Sequence, residues 1–141
     1  MQAKSTSELE QELSGCADLR GYLKRNDPAL HAPELPELLQ RALEKSGLNR
    51  AEALRRSNLN LVYGYQIFSG KRRPSRDSLL CLCFGLGLCA DETQNLLLHA
   101  GYAQLYIRDP RDSSLFYALD SGMSLLACNQ QLDVHGEASL S

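Results

Sequence analysis

Tryptophan is absent from the 141-residue chain, methionine occurs only twice, and no window approaches 18 consecutive apolar residues. Without such a window there is no membrane-spanning helix to predict. The opening residues, MQAKSTSELEQEL, carry no apolar segment behind a basic one, so no signal peptide is read and a cytoplasmic location is expected. Proline (5) and glycine (10) are too scarce for collagen-like or low-complexity sequence, while 43% hydrophobic and 23% charged residues describe an ordinary globular chain. A chain of this length buries about two thirds of its unfolded surface, enough for one main core without disulfide staples. Alternation of apolar and polar residues beside hairpin turns is missing too, which removes the strand reading and leaves an all-α fold. No internal repeat is evident in the sequence.

The residue sets that carry most enzyme chemistry are also missing. There is no phosphate-binding glycine loop, zinc motif or nucleophile elbow, so a non-enzymatic protein without cofactor or metal is expected. His31, His99 and His135 are dispersed, with His99 expected to border the core. Five cysteines (Cys16, Cys81, Cys83, Cys89, Cys128) are an odd number without an export signal, which predicts reduced thiols. Cys81, Cys83 and Cys89 lie in leucine-rich sequence with no histidine beside them and read as small core residues. Asp109, Arg111 and Asp112 alternate in sign at a helix start and read as solvated pairs and caps.

What is present is helical periodicity. Ser5 and Glu8 have capping-box spacing, and a second short helix carries Leu19, Tyr22 and Leu23 before Asn26-Asp27-Pro28 ends it. Leu35, Leu38, Leu39, Ala42 and Leu43 form one apolar stripe that Gly47 stops. Asn49 caps a helix of two turns, Asn58 suits a left-handed turn, and Asn60 caps a third helix from Leu61 to Ser69 that Gly70 closes. Further helices are predicted from Ser75 towards Gly87, from Asp91 towards Gly101, over 110–120 and over 124–134. The chain is net −2, yet between Asn49 and Arg76 it places Arg50, Arg55, Arg56, Lys71, Arg72, Arg73 and Arg76 against Glu52 alone. That basic block predicts a phosphate-facing surface.

Two short helices joined by a three-residue turn and followed by a basic connector make a helix-turn-helix. The segment GLNRAEALRRSNLNLVYGYQIFSGKRRPSRDSLLCLCFGLGL resembles the XRE type of helix-turn-helix protein, the class that includes lambda-type phage repressors. The likeness spans about Leu35 to Gly101; its most specific pieces are SGLNRAE and the I-F-S-G-K-R-R-P-S exit, similar to the family's I-E-N-G-K-R-x-P-S. It implies a lambda-repressor-like bundle of about five helices with short helical extensions: residues 1–34 an N-terminal extension and linker, 35–101 the DNA-binding domain, 102–141 a C-terminal extension suited to dimerisation.

The resemblance further implies a transcriptional regulator that binds double-stranded DNA as a homodimer, with its third helix in the major groove. Leu61, Val62, Tyr65 and Gln66 would face bases, Gln66 pairing with an adenine edge. Arg50, Asn60, Ser69, Lys71, Arg72 and Arg73 would hold phosphates. Six positions depart from the family pattern: Leu61 and Val62 replace small polar residues, Gly64 replaces an inward aliphatic, Phe68 stands where Glu is frequent, and Ala53-Leu54 replaces Leu-Ala. The apolar trio Leu61, Val62 and Tyr65 suits either thymine methyl groups or a protein partner. Tyr63 is expected to pack inward and Tyr65 to be exposed.

Overall fold

The structure is a computed structural model that describes residues 4–26 and 33–141. Among the described residues there are nine helices and no strand, so the fold is all-α. None of these helices is long and apolar enough to cross a membrane. The chain divides into two compact units, Met1–Pro33 and Glu34–Ser141.

The first unit holds α1 (Thr6–Gly15) and α2 (Leu19–Arg25). The Ser5 hydroxyl accepts from the Glu8 amide at 3.1 Å while Glu8 accepts from the Ser5 amide at 3.0 Å, the reciprocal pair that the spacing predicts. Asp18 caps α2 through the amides of Arg20 and Gly21. The Tyr22 hydroxyl donates to Leu9 O at 3.4 Å, joining the two helices. Lys4 donates to both Glu12 and Asn26 at 2.6 Å, and Lys4, Asn26 and Arg25 together hold the Glu12 carboxyl down to about 2. Leu19 and Leu23 are exposed rather than packed. The break at Asp27-Pro28 and His31 lie outside the described residues.

The second unit holds α3 (Leu35–Ser46), α4 (Arg50–Arg56), α5 (Leu61–Ser69), α6 (Arg76–Gly85), α7 (Ala90–His99), α8 (Pro110–Asp120) and α9 (Leu125–Val134). Five of these lie within residues 35–101. The stripe of α3 buries Leu39 and Leu43, and its chain stops at Gly47 in a left-handed conformation (φ 75°) that other residues adopt at a cost. From Ser78 to Gly85 every residue of α6 is buried, which makes it the central helix. Its neighbours are α4, α7 and α9. Leu115, Leu119, Leu125, Cys128, Leu132 and Leu140, all beyond Gly101, are buried in the same core as Leu39, Leu54, Ile67 and Leu80.

The C-terminal half also corrects the expectation that no repeat exists. Residues 76–105 and 111–140 are two copies of one helical hairpin, spaced 35 residues apart. Arg76-Asp77-Ser78 and Leu80 recur as Arg111-Asp112-Ser113 and Leu115; Gly87, Leu97, Gly101 and Leu105 recur as Gly122, Leu132, Gly136 and Leu140. All four of those glycines have positive φ. The bonding recurs with the sequence. Arg76 Nε donates to Ala103 O at 2.9 Å, and Arg111 Nε to Ala138 O at 2.8 Å. The Gln94 amide clamps both backbone groups of Leu105 (3.0 and 2.6 Å), and the Asn129 amide clamps both of Leu140 (3.0 and 2.8 Å). The hairpins meet reciprocally: Arg76 pairs with Asp112 and Arg111 with Asp77, each at 3.0 Å, while α6 packs on α9 and α7 on α8. Such exchange is the mark of a two-fold interface, here internal to one chain.

The Asp109–Asp112 cluster is therefore a correction too. Asp109 caps α8, but Asp112 is buried, taking Arg76 and the Tyr106 amide at 2.9 Å, and Arg111 is raised above its usual value chiefly by Asp77. They are packed joints between helices, not solvated pairs.

Candidate nucleic-acid interface

Helices α4 and α5 are set by three asparagines. Asn49 accepts from the Glu52 amide at 2.8 Å and starts α4. Asn58 takes a left-handed conformation (φ 54°) in the turn, as its residue type allows. Asn60 Oδ1 then accepts from the amides of Val62 (2.9 Å) and Tyr63 (3.3 Å) to start α5. Its side-chain oxygen is used as a cap, so only its amide nitrogen remains for a phosphate.

Packing between the two helices rests on an exchange of sizes. A Cβ on Gly64 would sit 2.6 Å from Leu54 Cδ1 and 2.9 Å from Cγ. Leu54, fully buried, occupies the space that an inward aliphatic at position 64 would fill. The two departures in α4 and α5 thus compensate one another. Phe68 is buried as well, and the Arg50 guanidinium lies 5.7 Å from its ring centre, a cation–π contact that an acidic residue would replace by an ion pair.

The outer face of α5 carries Leu61 (48% exposed), Val62 (66%) and Tyr65 (41%), with Gln66 partly buried beside them. Tyr63 turns inward, its hydroxyl 3.3 Å from Ser78 Oγ. The Gln66 carbonyl accepts from the amides of Lys71 (2.9 Å) and Arg72 (3.2 Å), which folds the basic connector back against the end of α5. Ser69 Oγ donates to the same carbonyl at 3.1 Å.

The seven cations of the basic block do not form one field, which corrects that expectation. Arg55 and Arg56 both bind Glu52, and the pairing, led by Arg55, lowers the Glu52 carboxyl to about 2. Arg76 is held by Asp112. Arg73 donates to Ala100 O (2.6 Å) and the Tyr102 hydroxyl (3.2 Å), with its guanidinium 4.7 Å from the Tyr102 ring centre. Three cations flank α5 with neither a carboxylate nor a backbone carbonyl partner among the described residues: Arg50, which donates to Gln40 at 3.2 Å, exposed Lys71, and Arg72, lying 5.4 Å from the Tyr63 ring centre.

Burial pushes the thiols of Cys81 and Cys83 up to about 12 and that of Cys128 to about 11, and no group suited to a metal ion is found among the described residues. Cys89 is exposed at the start of α7, outside any core. His99 is likewise exposed at the end of α7, its Nδ1 2.8 Å from Asn95 O, rather than bordering the core. The repeat and its Arg76–Asp112 and Arg111–Asp77 joints escaped the sequence reading, although SRDSL against PRDSS and four residues at one spacing were the available signal. No family model matches the chain, and neither the curated proteins nor the solved structures contain a match to it.

Proposed function

We propose that the chain is a non-enzymatic, sequence-specific DNA-binding transcriptional regulator that lays α5 in the major groove. The observation that carries this reading is the α4–α5 pair itself: a capped helix with an exposed outer face, bracketed by Arg50, Lys71 and Arg72, which have no carboxylate partner among the described residues. Helices α3 to α7 are read as the lambda-repressor-like five-helix bundle. Gln66 has the donor and acceptor for an adenine edge, and Leu61, Val62 and Tyr65 have the surface for thymine methyl groups. A short recognition helix reads few base pairs, so a homodimer on a palindromic site is part of the proposal.

Fluorescence anisotropy with a mixed-sequence duplex tests it. Three phosphate contacts per protomer give log K against log salt a slope of about −2.7, or roughly −5 for a dimer. Lys71→Ala and Arg72→Ala weaken all sequences alike, and Gln66→Ala changes sequence preference. A slope near zero overturns the reading. Exposure of Leu61 and Val62 favours a second one, a protein-interaction module using Leu61, Val62 and Tyr65. Polar replacements of Leu61 and Val62 that abolish capture of a partner while leaving DNA affinity intact would select it.

A further inference from the structure

The two compact units differ in how far they cover their own apolar residues. Beyond Gly101, Leu115, Leu119 and Leu125 are buried in the chain's own core. In Met1–Pro33, Tyr22 is the one apolar residue buried among those described, while Leu13 (45%), Leu19 (58%) and Leu23 (46%) stay exposed. Their spacing is that of a packing seam. Leu9, Leu13 and Cys16 follow the four-then-three step of a helix that packs lengthwise on others, and Leu19 and Leu23 lie one turn apart on α2. A unit of this length falls below the roughly 40 residues at which a domain folds without a disulfide, a metal or oligomerisation. Its one cysteine, Cys16, cannot form a disulfide within it.

Charge identifies the partner. Helix α1 carries Glu8, Glu10 and Glu12 and no base, whereas α2 carries Arg20, Lys24 and Arg25 and no acid. Within one hairpin this opposition is used at Glu12, which takes Lys4 at 2.6 Å and Arg25 at 3.3 Å. Glu10, Arg20 and Lys24 stay exposed, each next in sequence to one of the seam leucines. A two-fold axis makes every contact twice. A hairpin with one acidic and one basic helix is therefore complementary to its own copy when α1 lies on the copy's α2, and repels it when α1 lies on α1. Two hairpins paired in the first way form a four-helix bundle with the leucines inside and the charges at its rim.

We propose that the α1–α2 hairpin is the surface through which two copies of this chain associate, α1 of each lying on α2 of the other. The DNA reading calls for a homodimer and this inference names its interface; the test is made without DNA, so either can fail alone. Sedimentation equilibrium of the full chain is expected to show a monomer–dimer equilibrium. Dilution of the 15N-labelled chain should shift the amides over 9–23 in step with dissociation and leave those of α8 and α9 in place. Leu19→Gln/Leu23→Gln should weaken association at least about tenfold. Glu10→Lys/Ser14→Lys and Arg20→Glu/Lys24→Glu should each do the same, because each gives both helices rim charges of one sign, and an equimolar mixture of the two should regain native affinity as a heterodimer. A native chain that stays monomeric into the high micromolar range, dilution shifts that fall elsewhere, such as at Tyr106, Ile107 and Tyr117, or charge variants of native helicity that gain nothing on mixing would overturn the proposal. The dilution shifts of the native chain decide it even if the variants do not fold.

Discussion

Replacing Gly64 by alanine isolates the size exchange between α4 and α5. Helix propensity alone would make the change favourable by about 0.8 to 1 kcal/mol. Against that, the new methyl group would lie 2.6 and 2.9 Å from two Leu54 carbons in a fully buried position, and overpacking of this kind costs about 1 to 3 kcal/mol. The expected net effect is a loss of about 1 kcal/mol. Leu54→Ala alone leaves a cavity and costs about 2 to 5 kcal/mol. In the double variant the Gly64→Ala methyl refills part of that cavity, so the combined loss falls short of the sum by about 1 to 2 kcal/mol. Urea unfolding followed by circular dichroism at 222 nm reads all four corners of this cycle. A stabilised Gly64→Ala variant, or strict additivity in the double one, would refute the reasoning.

Other consequences are equally direct. Asp112→Ala leaves Arg76 partly buried without its carboxylate and is expected to cost about 3 kcal/mol, whereas Glu37→Ala, breaking the exposed pair with Arg41, costs under about 1 kcal/mol. Glu52 has a folded-state pKa of about 2 against 4.5 for the ordinary group. Its pairing therefore contributes stability above pH 4.5, and that contribution is lost as pH falls from 4.5 through 2. An NMR titration of its carboxyl should show the low midpoint, returning towards 4.5 in the Arg55→Gln/Arg56→Gln variant. Thiol labelling of the native chain near pH 8 should reach Cys16 and Cys89 quickly and leave Cys81, Cys83 and Cys128 until unfolding; equal rates for all five would contradict the core assignment.

Much of the fold is legible from local signals. Asn49, Asn58 and Asn60 announce the α4–α5 turn because each needs only its own side chain and neighbouring amides. Pro110, Ser124 and Gly70 mark helix ends for the same reason. Charge was less readable. Arg76 and Arg111 look like members of solvated clusters until the fold brings Asp112 and Asp77 against them, 36 and 34 residues away in sequence. His99 illustrates the converse, since an apolar neighbourhood in sequence, LLLHAG, says little about which side of a helix end faces water. The duplicated hairpin stayed hidden because its anchors are spread thinly, an arginine, an amide and two glycines per copy, while the intervening core positions exchange one apolar residue for another, as in Phe84 and Leu119.

The central claim is that the outer face of α5 and the three cations beside it meet DNA. Amide shift mapping of the 15N-labelled chain on addition of a duplex tests this most directly. The account predicts saturable shifts over 61–66 and at Arg50, Lys71 and Arg72, with Arg111 and the amides of α9 unchanged. Shifts confined to the hairpin repeat, or none at low salt, would contradict it.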